Sequence, residues 1–149
     1  MEAKVTPESL LEEGLRSLEA GNYAGASTKL EEALALGAEP QPFIDAARAV
    51  CLAALRQQYT QAIETCKQAI AQEPCSSALY LHLGRVYLLA DKRKEAIACF
   101  REGMLYRRDQ RIMNELKQLG LRRRPVFDSL PRQHFLNRVA GRLCARFRH

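Results

Sequence analysis

Apolar residues along this chain fall on helical spacings, and the spacings recur. In YLHLGRVYLLADKRKEAIACFREGMLYRR, Tyr80, Leu83, Gly84 and Tyr87 share one helix face, and Ala96, Phe100 and Gly103 share a face of a second helix. In the unit 34 residues upstream, Ala62, Cys66 and Ala69 take the second-helix positions, Tyr59 opens that helix and Pro74 closes the unit. Its first helix, FIDAARAVCLAAL, has Val50 where Gly84 stands and Ala53 where Tyr87 stands. A further copy lies 36 residues upstream, with Gly14, Ala26, Leu30 and Ala33 in register and Glu13 where the later copy has Leu83. The two extra residues fall in the Pro-rich stretch LGAEPQP, where an insertion costs little. Beyond the third unit, Ile112, Met113, Leu116 and Leu119 form an apolar stripe that ends at Gly120, a good helix stop. The last stretch holds Leu136, Val139, Leu143 and Phe147 at helical spacing, flanked by Arg138, Arg142 and Arg146.

A helical hairpin cannot bury its apolar face alone. Gly and Ala let two helices approach, and Tyr, Leu and Phe fill the gap against the next unit, so about three stacked copies make a stable array. The pattern resembles the tetratricopeptide repeat, with its aromatic-x2-Leu-Gly-x2-Tyr, then Ala-x3-Phe, then Pro; Arg108 stands where the last Pro is expected in the third copy. The resemblance covers residues 7–110 and implies an all-α fold, a right-handed α-solenoid of three helical hairpins spanning 7–42, 43–76 and 77–110. A capping helix over 109–119 completes an array of 7–119, and the tail 121–149 adds an amphipathic helix over 132–147. The short form and clean repeat are similar to those of small bacterial tetratricopeptide proteins.

Charge changes this picture only at one end. The net charge of +6 is concentrated in residues 121–149, where eight Arg face Asp128 alone. Residues 1–120 carry 15 Lys and Arg against 16 Asp and Glu, a net charge of −1. The start, MEAKVTPESLLEEG, lacks the basic opening and apolar core of a signal peptide, and AARAVCLAAL is too short to span a bilayer; both point to a cytoplasmic protein. Cys51, Cys66, Cys75, Cys99 and Cys144 are odd in number, widely spread and form no CxxC pair, so neither a disulfide framework nor a zinc site is expected.

Candidate chemistry is sparse. No Gly-rich phosphate loop, HExxH or nucleophile motif occurs, and His82, His134 and His149 are far apart in the chain. Cys144 and His149 are five residues apart at a terminus, a poor geometry for a catalytic pair. A non-catalytic chain without metal or cofactor is expected.

The resemblance implies instead a concave groove, made by the first helix of each repeat, that binds a peptide or helix. The matching positions here are Leu11, Glu12, Leu15 and Glu19, then Ala47, Arg48, Cys51 and Leu55, then Leu81, His82, Arg85 and Leu89. The groove would be acidic at one end and cationic at the other; an equal alternative is that several of these residues simply pack against neighbours or the tail. The family's subclass that holds a C-terminal carboxylate uses Lys and Asn at groove positions. No Asn occurs on the three first helices, so chaperone-tail binding is not expected.

The tail's charge calls for an acidic counterpart, because like charges at i,i+4 weaken an isolated helix. Its docking residues are Phe135, Leu136, Arg138, Val139, Arg142, Leu143, Arg146 and Phe147. The tail contains no Lys, and Arg suits fixed bidentate contacts to carboxylates. Docking on the chain's own array, on a partner protein or on a second copy is therefore favoured over an anionic membrane or nucleic acid. The expected function is a protein-interaction adaptor; the alternative is a peripheral membrane or nucleic-acid module acting through the tail.

Overall fold

The computed structural model describes residues 6–120. The tail helix and the tail docking residues, Phe135 to Phe147, lie outside the described residues. Among those described there are seven helices and no strand: α1 (Pro7–Glu19), α2 (Tyr23–Ala35), α3 (Pro42–Arg56), α4 (Tyr59–Gln72), α5 (Ser77–Leu89), α6 (Arg93–Tyr106) and α7 (Gln110–Gln118). Residues up to Glu115 form one compact unit; a second begins at Leu116.

The helices start and stop where local chemistry dictates. Thr6 and Ser9 cap α1 reciprocally, each side chain accepting the other's backbone N–H, with Pro7 in the first turn. The Asn22 side chain accepts the Gly25 N–H at the start of α2, and Pro42 opens α3. The turn inside each hairpin contains one residue in the left-handed region: Gly21 (φ 77°), Gln57 (φ 56°) and Asp91 (φ 57°). These positions are 36 and 34 residues apart, the same offsets as the sequence copies. The repeat is therefore written in backbone conformation, although only the first copy uses glycine there.

Within the compact unit α1 packs on α2, α3 on α4 and α5 on α6, and α3 also packs against α1, α2 and α5. The central α3 buries Ile44, Ala46, Ala47, Ala49, Val50, Cys51 and Ala53. One continuous core runs from Leu18 through α3 to Val86.

The hairpin crossings show how residue volumes are traded. A Cβ at Gly14 would lie 3.0 Å from the Leu30 side chain, and one at Gly84 would overlap the Phe100 ring. Both second-helix residues are fully buried. The middle hairpin reverses the arrangement. Val50 takes the glycine's place and the smaller Cys66 takes the place of Leu30 and Phe100, its Sγ 3.9 Å from the Ala46 carbonyl oxygen. That exchange gives the departure from the repeat pattern in α3 a packing reason.

Candidate functional site

The first helices α1, α3 and α5 carry the twelve expected groove positions. The structure places them in three groups. Ala47, Cys51, Leu81 and His82 are at most 1% exposed and lie inside the packed array. Leu11, Leu15 and Leu89 are half-buried against the core. Glu12, Glu19, Arg48, Leu55 and Arg85 keep polar or apolar surface, with Leu55 50% exposed.

Two of the surface residues are joined across the array. Arg85 on α5 donates from Nη1 and Nη2 to both carboxylate oxygens of Glu19 on α1, at 3.0 and 2.8 Å. Its Nε donates to Glu115 on α7 at 2.8 Å. Arg111, also on α7, reaches Glu19 at 3.5 Å and is itself held by Asp109 through Nε at 3.1 Å and Nη2 at 2.8 Å. The chain Asp109–Arg111–Glu19–Arg85–Glu115 thus ties α1 to α5 and α7. In packing order α3 stands between α1 and α5. Its Ala46, Ala47, Ala49 and Ala53 add little bulk to that layer.

Electrostatics follow from this geometry. Burial alone would push the Glu19 carboxyl up, but Arg85's hydrogen bonds and charge, with Arg111 beyond, hold it below its ordinary value. Burial also works against the Arg85 cation, and hydrogen bonds to Glu19 and Glu115 outweigh it. Asp109 is held low mainly by its hydrogen bond from Arg111.

His82 lies beside this network and takes no part in it. Its ring is buried, 5.4 Å from the Phe43 ring, and neither nitrogen has a hydrogen-bond partner. Burial, reinforced by Arg85 and Arg111, pushes its pKa down to about 3. The imidazole is therefore neutral and packed, a core group at a position expected to face the groove.

The sequence pointed to Glu19 and Arg85 but missed Asp109, Arg111 and Glu115. Arg111 and Glu115 are spaced i,i+4 on the polar side of a helix whose stripe is Ile112, Met113, Leu116 and Leu119, and that spacing was the available signal. Among the cysteines, burial raises Cys51 and Cys99 to about 11 and Cys66 to about 12, so all three stay as thiols, while Cys75 is exposed. Among the described residues no helix is long and apolar enough to cross a membrane.

Arg85 is the hub of the network, so its truncation is informative. Arg85→Met should destabilise the array by about 2 kcal/mol. That is less than the 3–5 kcal/mol typical of breaking a buried pair, because Glu19 stays about a third open to water. Urea unfolding of parent and variant checks this, and the difference should shrink as salt is raised. A change below 0.5 kcal/mol, in the range of an ordinary surface substitution, would show that the network adds nothing to stability.

Stacked helical hairpins of this spacing define a helical-repeat array. Residues 53–119 match the tetratricopeptide-repeat family model. The chain is similar in fold to the first such domain of human RPAP3, at 19% identity over 77% of this chain and 90% of that one, with a TM-score of 0.55. The corresponding domain of Arabidopsis OM64 aligns at 22% identity, covering 76% and 93% of the two chains, with a TM-score of 0.53. The first domain of Spaghetti (RPAP3), solved with the HSP90 peptide SRMEEVD bound, aligns at 20% identity over 77% and 93%, with a TM-score of 0.54. No curated protein matches the chain in sequence.

Proposed function

We propose that the chain is a non-catalytic interaction scaffold that binds a peptide or helix along the face formed by α1, α3 and α5. The observation that carries this reading is the charged network on that face. Its arginines are only partly enclosed, with the Arg111 side chain 40% exposed, and Arg48 on the central helix is 38% exposed. An acidic side chain of a ligand can compete with Glu19 for Arg111 and Arg85, while Leu55 and the half-buried Leu11, Leu15 and Leu89 offer apolar contact. The peptide-bound fold relative supports the same use of such an array.

The test is selection of displayed random peptides on the full chain, followed by fluorescence anisotropy of the winners. Peptides with acidic residues should bind, and Arg48→Glu or Leu55→Glu should weaken them at least tenfold; both residues are exposed enough to change without loss of the fold. Selected peptides that bind these variants as well as the parent would place the binding face elsewhere.

The tail supports a second reading. Its net charge of +7 suits docking on an acidic protein surface, on the array or on a partner, with an anionic membrane or nucleic acid as the less favoured alternative. Salt separates the two: phosphate or lipid binding should collapse between low and moderate ionic strength, and the apolar part of groove binding should persist.

A further inference from the structure

The loop after the third repeat departs from the repeat pattern where it passes the start of α5. In place of a terminal Pro the sequence reads Arg107-Arg108-Asp109, and these residues line one wall of a cavity of about 420 Å³. Cys75, Ser76, Ser77 and Ala78 line the opposite wall, so the cavity mouth is the N-terminus of α5.

Apart from the Cys75 thiol and the Gln110 amide, whose Nε2 donates to Asn114, the polar side chains lining this space are hydroxyls or cations, with one carboxylate as the exception. Ser76 makes no side-chain cap, so the backbone N–H groups of Ser77 and Ala78 in the first turn keep their donors free. Ser77 is 7% exposed, lines the cavity, and its hydroxyl has no hydrogen-bond partner among the described residues. Arg107 and Arg108 are exposed and make no ion pair among the described residues. Arg111 is positioned by Asp109, whose two oxygens it occupies; that carboxylate is the exception and is already matched.

We infer that this cavity is a binding site for a phosphate group. A phosphate presents three acceptor oxygens and close to two negative charges. The site offers two backbone donors on the positive end of a helix dipole, the Ser77 hydroxyl in the cavity lining and two guanidinium groups without an ion pair among the described residues. A carboxylate has two oxygens and one charge and leaves part of this set unmatched. The site borders the charged network of the α1–α3–α5 face through Asp109 and Arg111, while Ser77, Ala78, Arg107 and Arg108 take no part in that network. The phosphate can arrive as the free ion or on a phosphorylated serine of a partner peptide; the chemistry is the same.

Amide NMR titration of the full chain tests this, using inorganic phosphate, a phosphoserine peptide, the unphosphorylated peptide and the same peptide with Glu in place of phosphoserine. The Ser77 and Ala78 amides should shift with the phosphorylated peptide, with free phosphate, or with both. Response to phosphate alone would identify the free ion as the ligand, and tighter binding of the phosphopeptide a protein partner. Arg107→Gln with Arg108→Gln should weaken binding more than tenfold, and Ser77→Ala severalfold. Both arginines are exposed, so the double variant should keep the parent's melting curve. Equal binding of the Glu peptide, saturation by the unphosphorylated peptide, or unmoved Ser77 and Ala78 amides would each overturn the assignment.

Discussion

Replacing Phe100 with alanine will lower the stability of the array by about 4 kcal/mol, in the middle of the range for truncating a buried aromatic residue. Phe100 is fully buried on α6, and its ring lies directly over Gly84 of α5. The cost is high because Gly84 has no side chain to move into the space and α5 is fixed by Leu79, Leu83 and Val86, which belong to the continuous core. Urea unfolding measures the loss. A double-mutant cycle isolates its cause. Gly84→Ala alone should cost about 2 kcal/mol, because the new methyl meets the ring. In the Phe100→Ala background the same change should be neutral or favourable, since the methyl enters vacated space. Additive losses would show that the two positions do not share the crossing.

The second large effect is a loss of stability in mild acid caused by His82. Its pKa is near 6.5 in an unfolded chain and about 3 in the fold. Below pH 6.5 the unfolded state takes up a proton that the folded state cannot accept, so acid favours unfolding. The contribution is fully present above pH 6.5 and is lost at about 1.4 kcal/mol per pH unit as the pH falls toward 3. Four charged groups face the ring. Arg85 and Arg111 oppose its protonation, while Glu19 and Asp109 favour it, and burial outweighs all four. Glu19 and Asp109 have their own acid dependence, but their pKa values lie below the usual 4.5 and 3.8, so they add loss only at lower pH. The window from pH 6.5 to 4.5 therefore isolates the histidine. Denaturation of parent and His82→Leu across that window should show a slope in the parent and almost none in the variant. At pH 7 the variant should match or exceed the parent by about 1 kcal/mol, because it buries no unpaired ring nitrogen. Parallel pH profiles would assign the acid sensitivity to other groups.

The legibility of this fold in its sequence has a physical basis. Copies in register at 34 and 36 residues required three equivalent hairpins, because each position in the pattern answers a packing need that recurs at every crossing. Gly84 and Phe100, or Gly14 and Leu30, are each one half of a contact within a hairpin, and local spacing brings such halves together. Turn conformation was less legible. Gln57 and Asp91 adopt the left-handed backbone without being glycine, since the hairpins on either side impose it.

The candidate site divides along the same line. A residue's helix can be read from spacing, but which neighbour covers it cannot. Ala47, Cys51, Leu81 and His82 sit on the first helices at the family's groove positions, yet the array packs around them. Cys51 lies only four residues from the exposed Leu55 on the same helix, and a small change in helix rotation decides between such positions.

By itself the sequence determined the helix count of the repeats, their register and the strong positive charge of the tail. Those features are local, or recur with a fixed period, so they leave a trace in spacing and composition. Only the tertiary structure decided that Glu19 meets Arg85 and Arg111, that His82 is a neutral core group, and that Arg107 and Arg108 face the uncapped start of α5. Glu19 and Arg85 lie 66 residues apart, and Glu19 and Arg111 lie 92 apart. Charges at such separations are brought together by the stacking of repeats, and no period in the chain records which of them will meet.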